Sequence, residues 1–219
     1  LGVPTMVTCN GDANGSVSVT GSGGTVAGDY TYLWNNGQTT ATASNLAPGT
    51  YTVTIKDDNN CSSSAGPVSI TEPAVLTASM GVPTMVSCNG GSDGSVTVTG
   101  SGGTVAGDYT YLWSNGQTTA TATGLVAGSY TVTITDDNGC QASAGPVTIT
   151  EPTQVVASMG LPTMVTCNGD ADGSVTVTGS GGTVAGDYTY SWSNGQTTAT
   201  ASGLSPGSYT VTISDDNGC

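Results

Sequence analysis

The sequence repeats itself every 79 residues, without an insertion or a deletion. Residues 2–61 and residues 81–140 are identical at 47 of 60 positions, and a third copy runs from residue 160 to Cys219. Solenoid repeats usually measure about 20 to 50 residues, whereas this period is long enough for a small domain. The repetition therefore predicts three tandem domains, at residues 1–73, 74–152 and 153–219.

Apolar residues in each copy alternate with polar ones, as expected for strands with one buried face. Val17 and Val19 alternate with Ser and Thr, and Tyr51, Val53 and Ile55 repeat the pattern. Helical periodicity is absent, and turn residues recur at roughly ten-residue intervals. The pattern predicts an all-β protein. We expect three tandem Ig-like (PKD-like) antiparallel β-sandwich domains, each with about seven short strands, in a linear rod.

The strand that ends at Trp34 illustrates the assignment of faces. Leu33 is replaced by Ser191 in the third copy, so this position is predicted to face solvent and Trp34 to face the core. Asn36-Gly37 follows the strand and predicts a tight hairpin turn to the next strand, because both residue types tolerate positive φ.

The segment Ala74–Met80, which follows Pro73, reads as the first strand of the next domain. By this interpretation the first copy lacks its opening strand and the third copy lacks its last one. Two explanations stay open for the incomplete copies. Either the polypeptide continues, or a strand from another subunit completes the fold.

The charge of the chain excludes one class of function and argues against another. Fifteen acidic residues against one basic residue give a net charge of −14, which excludes binding to nucleic-acid phosphates. The chain has no His and a single Lys, Lys56, so it lacks the side chains that most often transfer protons. We expect no enzymatic activity, and no run of 18 apolar residues predicts a membrane span.

Each copy contains two cysteines, 52 residues apart, with 27 residues from one copy to the next. This spacing matches neither a zinc site nor a redox CxxC motif, so it favours disulfides and an oxidising, extracellular setting. We expect one bridge within each copy, stabilising a small core by about 4 kcal/mol. Free buried thiols are the alternative. The expected pairs are Cys9 with Cys61, Cys88 with Cys140, and Cys167 with Cys219.

Aspartates recur at fixed positions of the repeat and have two interpretations. Turn chemistry with a solvated charge is one, and a calcium site is the other, for which Asp170 and Asp172 form the best local match. The calcium pattern degrades between copies, because Asp172 corresponds to Asn14 in the first copy. Asp57 and Asp58 are neighbours and are expected to face opposite ways, which excludes a paired acid and base.

Threonines at alternate positions, such as Thr52 and Thr54, predict rows of hydroxyl groups on one sheet face. Such a face, with its tyrosines, could bind a surface polysaccharide as a recognition module. Threonine is also common at exposed strand positions, which explains the rows without a ligand.

The ordered motifs of each copy resemble the SprB repeat, found in giant surface adhesins of gliding Bacteroidota. The resemblance rests on Cys-Asn-Gly-Gly-Ser-Asp-Gly-Ser, Tyr-Leu-Trp-Ser-Asn-Gly-Gln-Thr-Thr, Gly-Ser-Tyr-Thr-Val-Thr-Ile and Asp-Asn-Gly-Cys, all quoted from residues 88–140. It covers nearly the whole chain, including Ile149-Thr150-Glu151-Pro152. The copies depart from the family in their near-identity and in the stretch Gly21–Gly28, which favour a regular stalk over a variable binding tip.

The resemblance implies export by the type IX secretion route, display on the bacterial cell surface and a role in adhesion or gliding motility. It supplies no catalytic residues and no cofactor. Expected partners are neighbouring repeats or subunits of the same filament, and a surface polysaccharide under the alternative interpretation. We expect no nucleic-acid partner.

Overall fold

The computed structural model describes residues 1–219, and the protein contains 46% strand and no helix. None of its segments forms a helix with the length and apolarity that crossing a membrane requires. The all-β fold class is confirmed. The first repeat holds strands β1 Gly15–Ser18, β2 Thr31–Trp34, β3 Thr42–Leu46, β4 Gly49–Lys56 and β5 Ser62–Ile70.

The second and third repeats follow the same order, with an additional strand at their start. The second repeat holds β6 Ala74–Met80, β7 Gly94–Gly103, β8 Thr110–Trp113, β9 Thr121–Leu125, β10 Gly128–Thr135 and β11 Gln141–Ile149. The third holds β12 Val156–Met159, β13 Gly173–Ser180, β14 Thr189–Trp192, β15 Thr200–Leu204 and β16 Val211–Ser214.

Strands in each repeat pair into two small antiparallel sheets. The sheet orders are β1-β3 and β2-β4-β5 in the first repeat, β6-β7-β9 and β8-β10-β11 in the second, and β12-β13-β15 and β14-β16 in the third. Ala74–Met80 forms a strand beside β7, as its sequence predicts. No repeat has seven strands: the region between β6 and β7 contributes only an isolated bridge between Thr84 and Ser95.

The first repeat has a core between its two sheets, which makes it a β-sandwich. Val17 of β1 and Ala43 and Leu46 of β3 pack with Trp34 of β2 and Ile70 of β5. The third repeat builds the corresponding core from β13, β14, β15 and β16. Leu33 is 56% exposed while Trp34 is 1% exposed, which confirms the predicted faces of β2.

The Asn36-Gly37 turn is present, but it joins strands that lie in different sheets. The N–H of Gly37 donates to the carbonyl of Trp34 at 2.9 Å, and Gly37 alone of the two residues has positive φ. However, β2 pairs with β4 and β3 pairs with β1. The expected hairpin between β2 and β3 is therefore wrong, because the chain crosses from one sheet to the other after the turn.

The chain forms two compact units, each of which includes part of the second repeat. One unit comprises Leu1–Ser79, Val98–Thr119 and Val132–Ala144, and the other comprises Met80–Thr97, Ala120–Thr131 and Gly145–Cys219. All sheets lie within residues 1–73, 74–152 or 153–219. The division into three domains and their arrangement as a rod stay predictions.

Candidate functional site, the bridge between successive repeats

Two disulfides join a cysteine of one repeat to a cysteine of the following repeat. Cys9 is bonded to Cys140 and Cys88 to Cys219, with Cα–Cα distances of 5.7 and 5.6 Å and a sequence separation of 131 in both. Cys61 and Cys167 are free and exposed. Disulfides are present, but the expected pairing within each repeat, Cys9 with Cys61 and its equivalents, is wrong in this structure.

The path of β5 explains why Cys9 does not reach Cys61. The loop after Cys9 is tied to the end of β5, because the N–H of Gly11 donates to Oε2 of Glu72 at 2.7 Å. Cys61 directly precedes the same strand, whose 9 residues span about 30 Å. The two cysteines therefore lie near opposite ends of β5, far beyond the roughly 7 Å that a disulfide allows between Cα atoms.

The turn that carries Cys140 is held by a buried carboxylate. Asp136 is 6% exposed and accepts hydrogen bonds from the N–H groups of Thr104 at 2.8 Å, Cys140 at 2.8 Å and Asn138 at 3.0 Å. Burial alone would raise the pKa of Asp136, but these N–H donors together hold its pKa below the ordinary value. The charged carboxylate thus fixes the turn to the loop that contains Thr104.

The neighbouring aspartate secures the same loop. Asp137 accepts from the N–H of Ala106 at 2.6 Å, beside the contact between Asp136 and Thr104. Asp57 and Asp58 make the equivalent contacts to Thr25 and Ala27 in the first repeat. The expectation that Asp57 and Asp58 face opposite ways is wrong, because both follow the end of β4 and both bind one loop.

Asn138 adds a polar contact across the bridge. Its Nδ2 donates to the carbonyl of Thr8 at 2.9 Å and to Oγ1 of Thr104 at 3.0 Å, so it binds the residue that precedes Cys9. At the second bridge, Nδ2 of Asn217 donates to the carbonyl of Ser87 at 2.9 Å. Both bridges therefore consist of a disulfide and an equivalent asparagine hydrogen bond beside it.

The loops that carry Cys9, Cys88 and Cys167 have a common polar lock. Oδ1 of Asn14, Asp93 or Asp172 accepts from the main-chain N–H six residues earlier, at 3.0, 3.0 and 3.1 Å respectively. In the third repeat, the hydroxyl of Thr166 also donates to Asp172 at 2.6 Å. This hydroxyl contributes most to lowering the pKa of Asp172, followed by the N–H of Thr166.

Asp170 and Asp172, the residues of the predicted calcium site, both contact Thr166. Oδ2 of Asp170 lies 3.3 Å from Oγ1 of Thr166, on the same hydroxyl that binds Asp172. No group of three or more His, Cys, Asp or Glu side chains is placed to hold a metal ion. The contacts explain the two carboxylates as a loop lock, and calcium binding stays a prediction.

Hydroxyl groups on the Thr- and Tyr-rich face bind other protein atoms. Oγ1 of Thr54 lies 3.3 Å from Oγ of Ser64, and Oγ1 of Thr133 lies 3.0 Å from Oγ of Ser143. The hydroxyl of Tyr51 donates to the carbonyl of Ala47 at 2.9 Å. The first two contacts join neighbouring strands and the third joins β4 to the turn before it, and polysaccharide binding stays a prediction.

The sequence contains a signal for these contacts. Asp-Asp-Asn followed by Gly or Asn and Cys recurs at residues 57–61, 136–140 and 215–219. Turn chemistry with a solvated charge, one of the two interpretations of these aspartates, does not fit Asp136 and Asp215, which are buried. The recurrence of a carboxylate four residues before a cysteine is the pattern that identifies the turn.

Comparison with known families gives three matches along the chain. The sequence profile of the SprB repeat matches residues 2–39, 81–118 and 162–197, together just over half of the chain. Each matched range includes the first cysteine of its repeat. A search of curated proteins finds no match.

Two solved structures show weak similarity. The three N-terminal domains of the bacteriophage RB49 highly immunogenic outer capsid protein (Hoc) are 20% identical with a TM-score of 0.43, over 87% of this chain and 73% of that chain. A tetra-tandem repeat in the extending region of a large adhesion protein is 18% identical with a TM-score of 0.26, over 98% of this chain and 62% of that chain.

Proposed function

We propose a mechanical role for this chain, which belongs to the SprB repeat family: it is a stalk segment that resists extension outside the cell. The observation that carries the proposal is the overlap of the two disulfides along the sequence. The loop closed by Cys9 and Cys140 contains Cys88, and the loop closed by Cys88 and Cys219 contains Cys140. Residues 88–140 of the second repeat therefore belong to both closed loops.

Overlapping loops limit how far the polypeptide can be pulled out. The shortest covalent path from Leu1 to Cys219 crosses to Cys140 at Cys9, returns to Cys88 and crosses the second bridge. This path contains 8 residue steps before Cys9 and 52 between Cys140 and Cys88, against 218 for the whole chain. Full extension is therefore about 210 Å with both bridges, compared with about 760 Å without them.

The setting that we propose is the bacterial cell surface, with adhesion or gliding motility as the process. Structural disulfides persist in oxidising compartments and are rare in the cytosol, which supports an extracytoplasmic location. The resemblance to SprB-repeat adhesins supports type IX secretion and a place in a filament or stalk. Near-identical copies suit a stalk, because a stalk repeats the same geometry at each step.

We also propose that the chain is not an enzyme. The carboxylates with lowered pKa are occupied by main-chain N–H donors, as at Asp136, or by a hydroxyl and an N–H, as at Asp172. Their arrangement supports holding loops in place.

Stretching single molecules between handles at the two ends tests the mechanical role. The protein to use is the double variant Cys61→Ser/Cys167→Ser, which keeps both bridges and cannot form a new one. We expect full unfolding to release a chain of about 210 Å in the oxidised protein and about 760 Å after reduction.

The double variant also separates this proposal from pairing within repeats. If Cys88 paired with Cys140, the variant would keep a single bridge and extend over roughly 165 residues, or about 580 Å. An oxidised extension near 580 or 760 Å would contradict the proposal. Surface display is tested separately: an antibody against the repeats should bind intact producing cells as strongly as permeabilised ones, and binding only after permeabilisation would contradict it.

A further inference from the structure

The two free cysteines occupy positions that are bonded elsewhere in the same structure. Cys61 is the first-repeat equivalent of Cys140, and Cys167 is the third-repeat equivalent of Cys9. Both are exposed, whereas the four bonded cysteines are half-buried. We propose that Cys167 of one copy of this chain forms a disulfide with Cys61 of a second copy, in the geometry of the two bridges within the chain.

The half of the bridge at Cys61 already has the bonded geometry. Asp57 accepts from the N–H groups of Thr25 at 3.0 Å, Asn59 at 3.0 Å and Cys61 at 2.8 Å, matching the contacts of Asp136. Asn60 has a φ of 62°, at the position where the bonded turns have a positive-φ glycine. The thiol is therefore presented by the same turn that presents Cys140 to Cys9.

The half of the bridge at Cys167 is also formed. The N–H of Thr166 donates to Asp172 at 3.1 Å, and the N–H of Asp170 donates to the carbonyl of Cys167 at 3.1 Å. The N–H of Asp12 makes the same 3.1 Å bond to the carbonyl of Cys9. Neither half has to reorganise, which removes an ordering cost that association usually carries.

The conserved hydrogen bond of the bridge can form between copies as well. Asn59 corresponds to Asn138, and its side chain is exposed beside Cys61. The carbonyl of Thr166 corresponds to that of Thr8, which accepts from Asn138 at 2.9 Å. We therefore assign Asn59 of the second copy to the carbonyl of Thr166.

The contact between copies joins the Cys61 turn of one copy to the Cys167 loop of the other. The surfaces on the two copies differ, so each addition leaves a free Cys61 at one end and a free Cys167 at the other. Such a contact does not close on itself and produces linear oligomers.

The chemical step is the oxidation of two thiols to one disulfide. Cys61 and Cys167 each lose one proton and one electron, and a sulfur–sulfur bond forms between them. A low-molecular-weight disulfide such as oxidised glutathione takes the two electrons and two protons and is reduced to two thiols. The net charge of −14 on each copy opposes association at low ionic strength, so salt should accelerate the reaction.

Two single variants test the pairing. Cys61→Ser retains Cys167 as its free cysteine, and Cys167→Ser retains Cys61. Both changes are at exposed positions and should leave the fold intact. Each variant is incubated alone and mixed with the other in a glutathione redox buffer at 0.15 M salt, then analysed by non-reducing electrophoresis. We expect at least tenfold more disulfide-linked dimer in the mixture than in either variant alone.

Further measurements keep the test decisive. The unaltered chain should form a ladder that collapses on reduction, and peptide mapping should find Cys61 linked to Cys167. Adding Asn59→Ala to the Cys167→Ser partner should reduce the yield of mixed dimer severalfold. Equal dimer formation by the separate variants, a monomer in which Cys61 and Cys167 have closed on each other, or no dimer at all would overturn the proposal. None of these outcomes changes the extension expected for the Cys61→Ser/Cys167→Ser protein.

Discussion

The turn that ends at Cys61 and the turn that ends at Cys140 have the same internal geometry but different partners. Asp57 and Asp136 each accept three main-chain N–H groups, from the loop before β2 or β8 and from the turn itself. Cys140 is nevertheless bonded to Cys9, while Cys61 is free.

The difference separates what local sequence determines from what packing determines. Five residues and one nearby loop are enough to form the turn, because the N–H groups that bind Asp57 or Asp136 all belong to the same repeat as the carboxylate. The bond at its last residue depends on the loop of another repeat, which approaches Cys140 through Thr8. Substitutions that weaken the hydrogen bonds of Asp57 or Asp136 should therefore reduce the stability of the protein equally in the two turns. Substitutions that remove the bridge or its contacts should reduce it unequally.

The largest difference is expected from removing the bridge. Cys9→Ser/Cys140→Ser opens a loop with a sequence separation of 131, which should cost about 5 kcal/mol of unfolding free energy in the chain-entropy description. Cys61→Ser/Cys167→Ser should change it by less than about 0.5 kcal/mol, since both residues are exposed and free. Urea denaturation of the oxidised proteins measures both. Comparable losses in the two double variants would show that Cys9 pairs with Cys61.

A smaller and equal effect is expected from the glycines under the two carboxylates. A Cβ at Gly103 would lie 2.5 Å from Oδ2 of Asp136, one at Gly24 would lie 2.6 Å from Oδ2 of Asp57, and both glycines have positive φ. Substitution by Ala should cost about 1 to 3 kcal/mol at either position. Gly107→Ala is the control, because nothing lies within 4 Å of its Cβ. A loss of stability in Gly103→Ala but not in Gly24→Ala would show that the hydrogen bonds of Asp136 depend on the bridge.

The strands were predictable because their signal is local. Alternation in a run such as Ser16-Val17-Ser18-Val19 defines a buried face, and Leu33 against Ser191 gives the exposed one. The sequence predicts more strands than the fold has, because residues 81–93 form only an isolated bridge between Thr84 and Ser95. The Asn36-Gly37 turn was also predictable, but not the change of sheet after it, since the residues of a turn do not determine the pairing of the flanking strands.

The pairing of cysteines was not predictable for a different reason. Identical repeats present identical environments, so the spacing within a copy and the spacing between copies carry no information about which bond forms. Cys9 cannot pair with Cys61 because it lies at the other end of β5. This position of Cys9 depends on the hydrogen bond between Gly11 and Glu72. That contact spans 61 residues and has no signature apart from the recurrence of Glu and Pro after the last strand.

Asn138 and Asn59 provide a third comparison, at the bridge itself. Asn138→Ala removes the hydrogen bonds to the carbonyl of Thr8 and to Thr104, which should cost about 1 kcal/mol. Asn59→Ala should cost less than half as much in the monomer, because Asn59 contributes its main-chain N–H to the turn and no side-chain hydrogen bond to another repeat. Thermal unfolding of both variants at equal protein concentration, with Cys61 and Cys167 replaced, measures the difference. A larger loss for Asn59 would indicate that its turn has a partner within the chain.

The smallest contrast is expected in the response to acid, where both turns should behave alike. The N–H of Thr25 contributes most to lowering the pKa of Asp57, and three N–H donors lower that of Asp136 against its burial. A carboxylate with a lowered folded pKa stabilises the fold above its unfolded pKa of about 4, and this contribution is lost as pH falls through the folded pKa.

Asp57→Asn and Asp136→Asn should each reduce the stability at pH 7. Each should also reduce the further loss of stability below pH 4, because the ionisable carboxylate is gone. The difference between the urea midpoints at pH 7 and pH 3 should therefore shrink in both variants, by similar amounts. Lys56→Gln is the control, because Lys56 lies next to Asp57 in sequence and carries the only side-chain positive charge of the chain. A decrease only in Asp136→Asn would mean that the bridge orders the donors around that carboxylate, and the two turns would then differ before the bond forms.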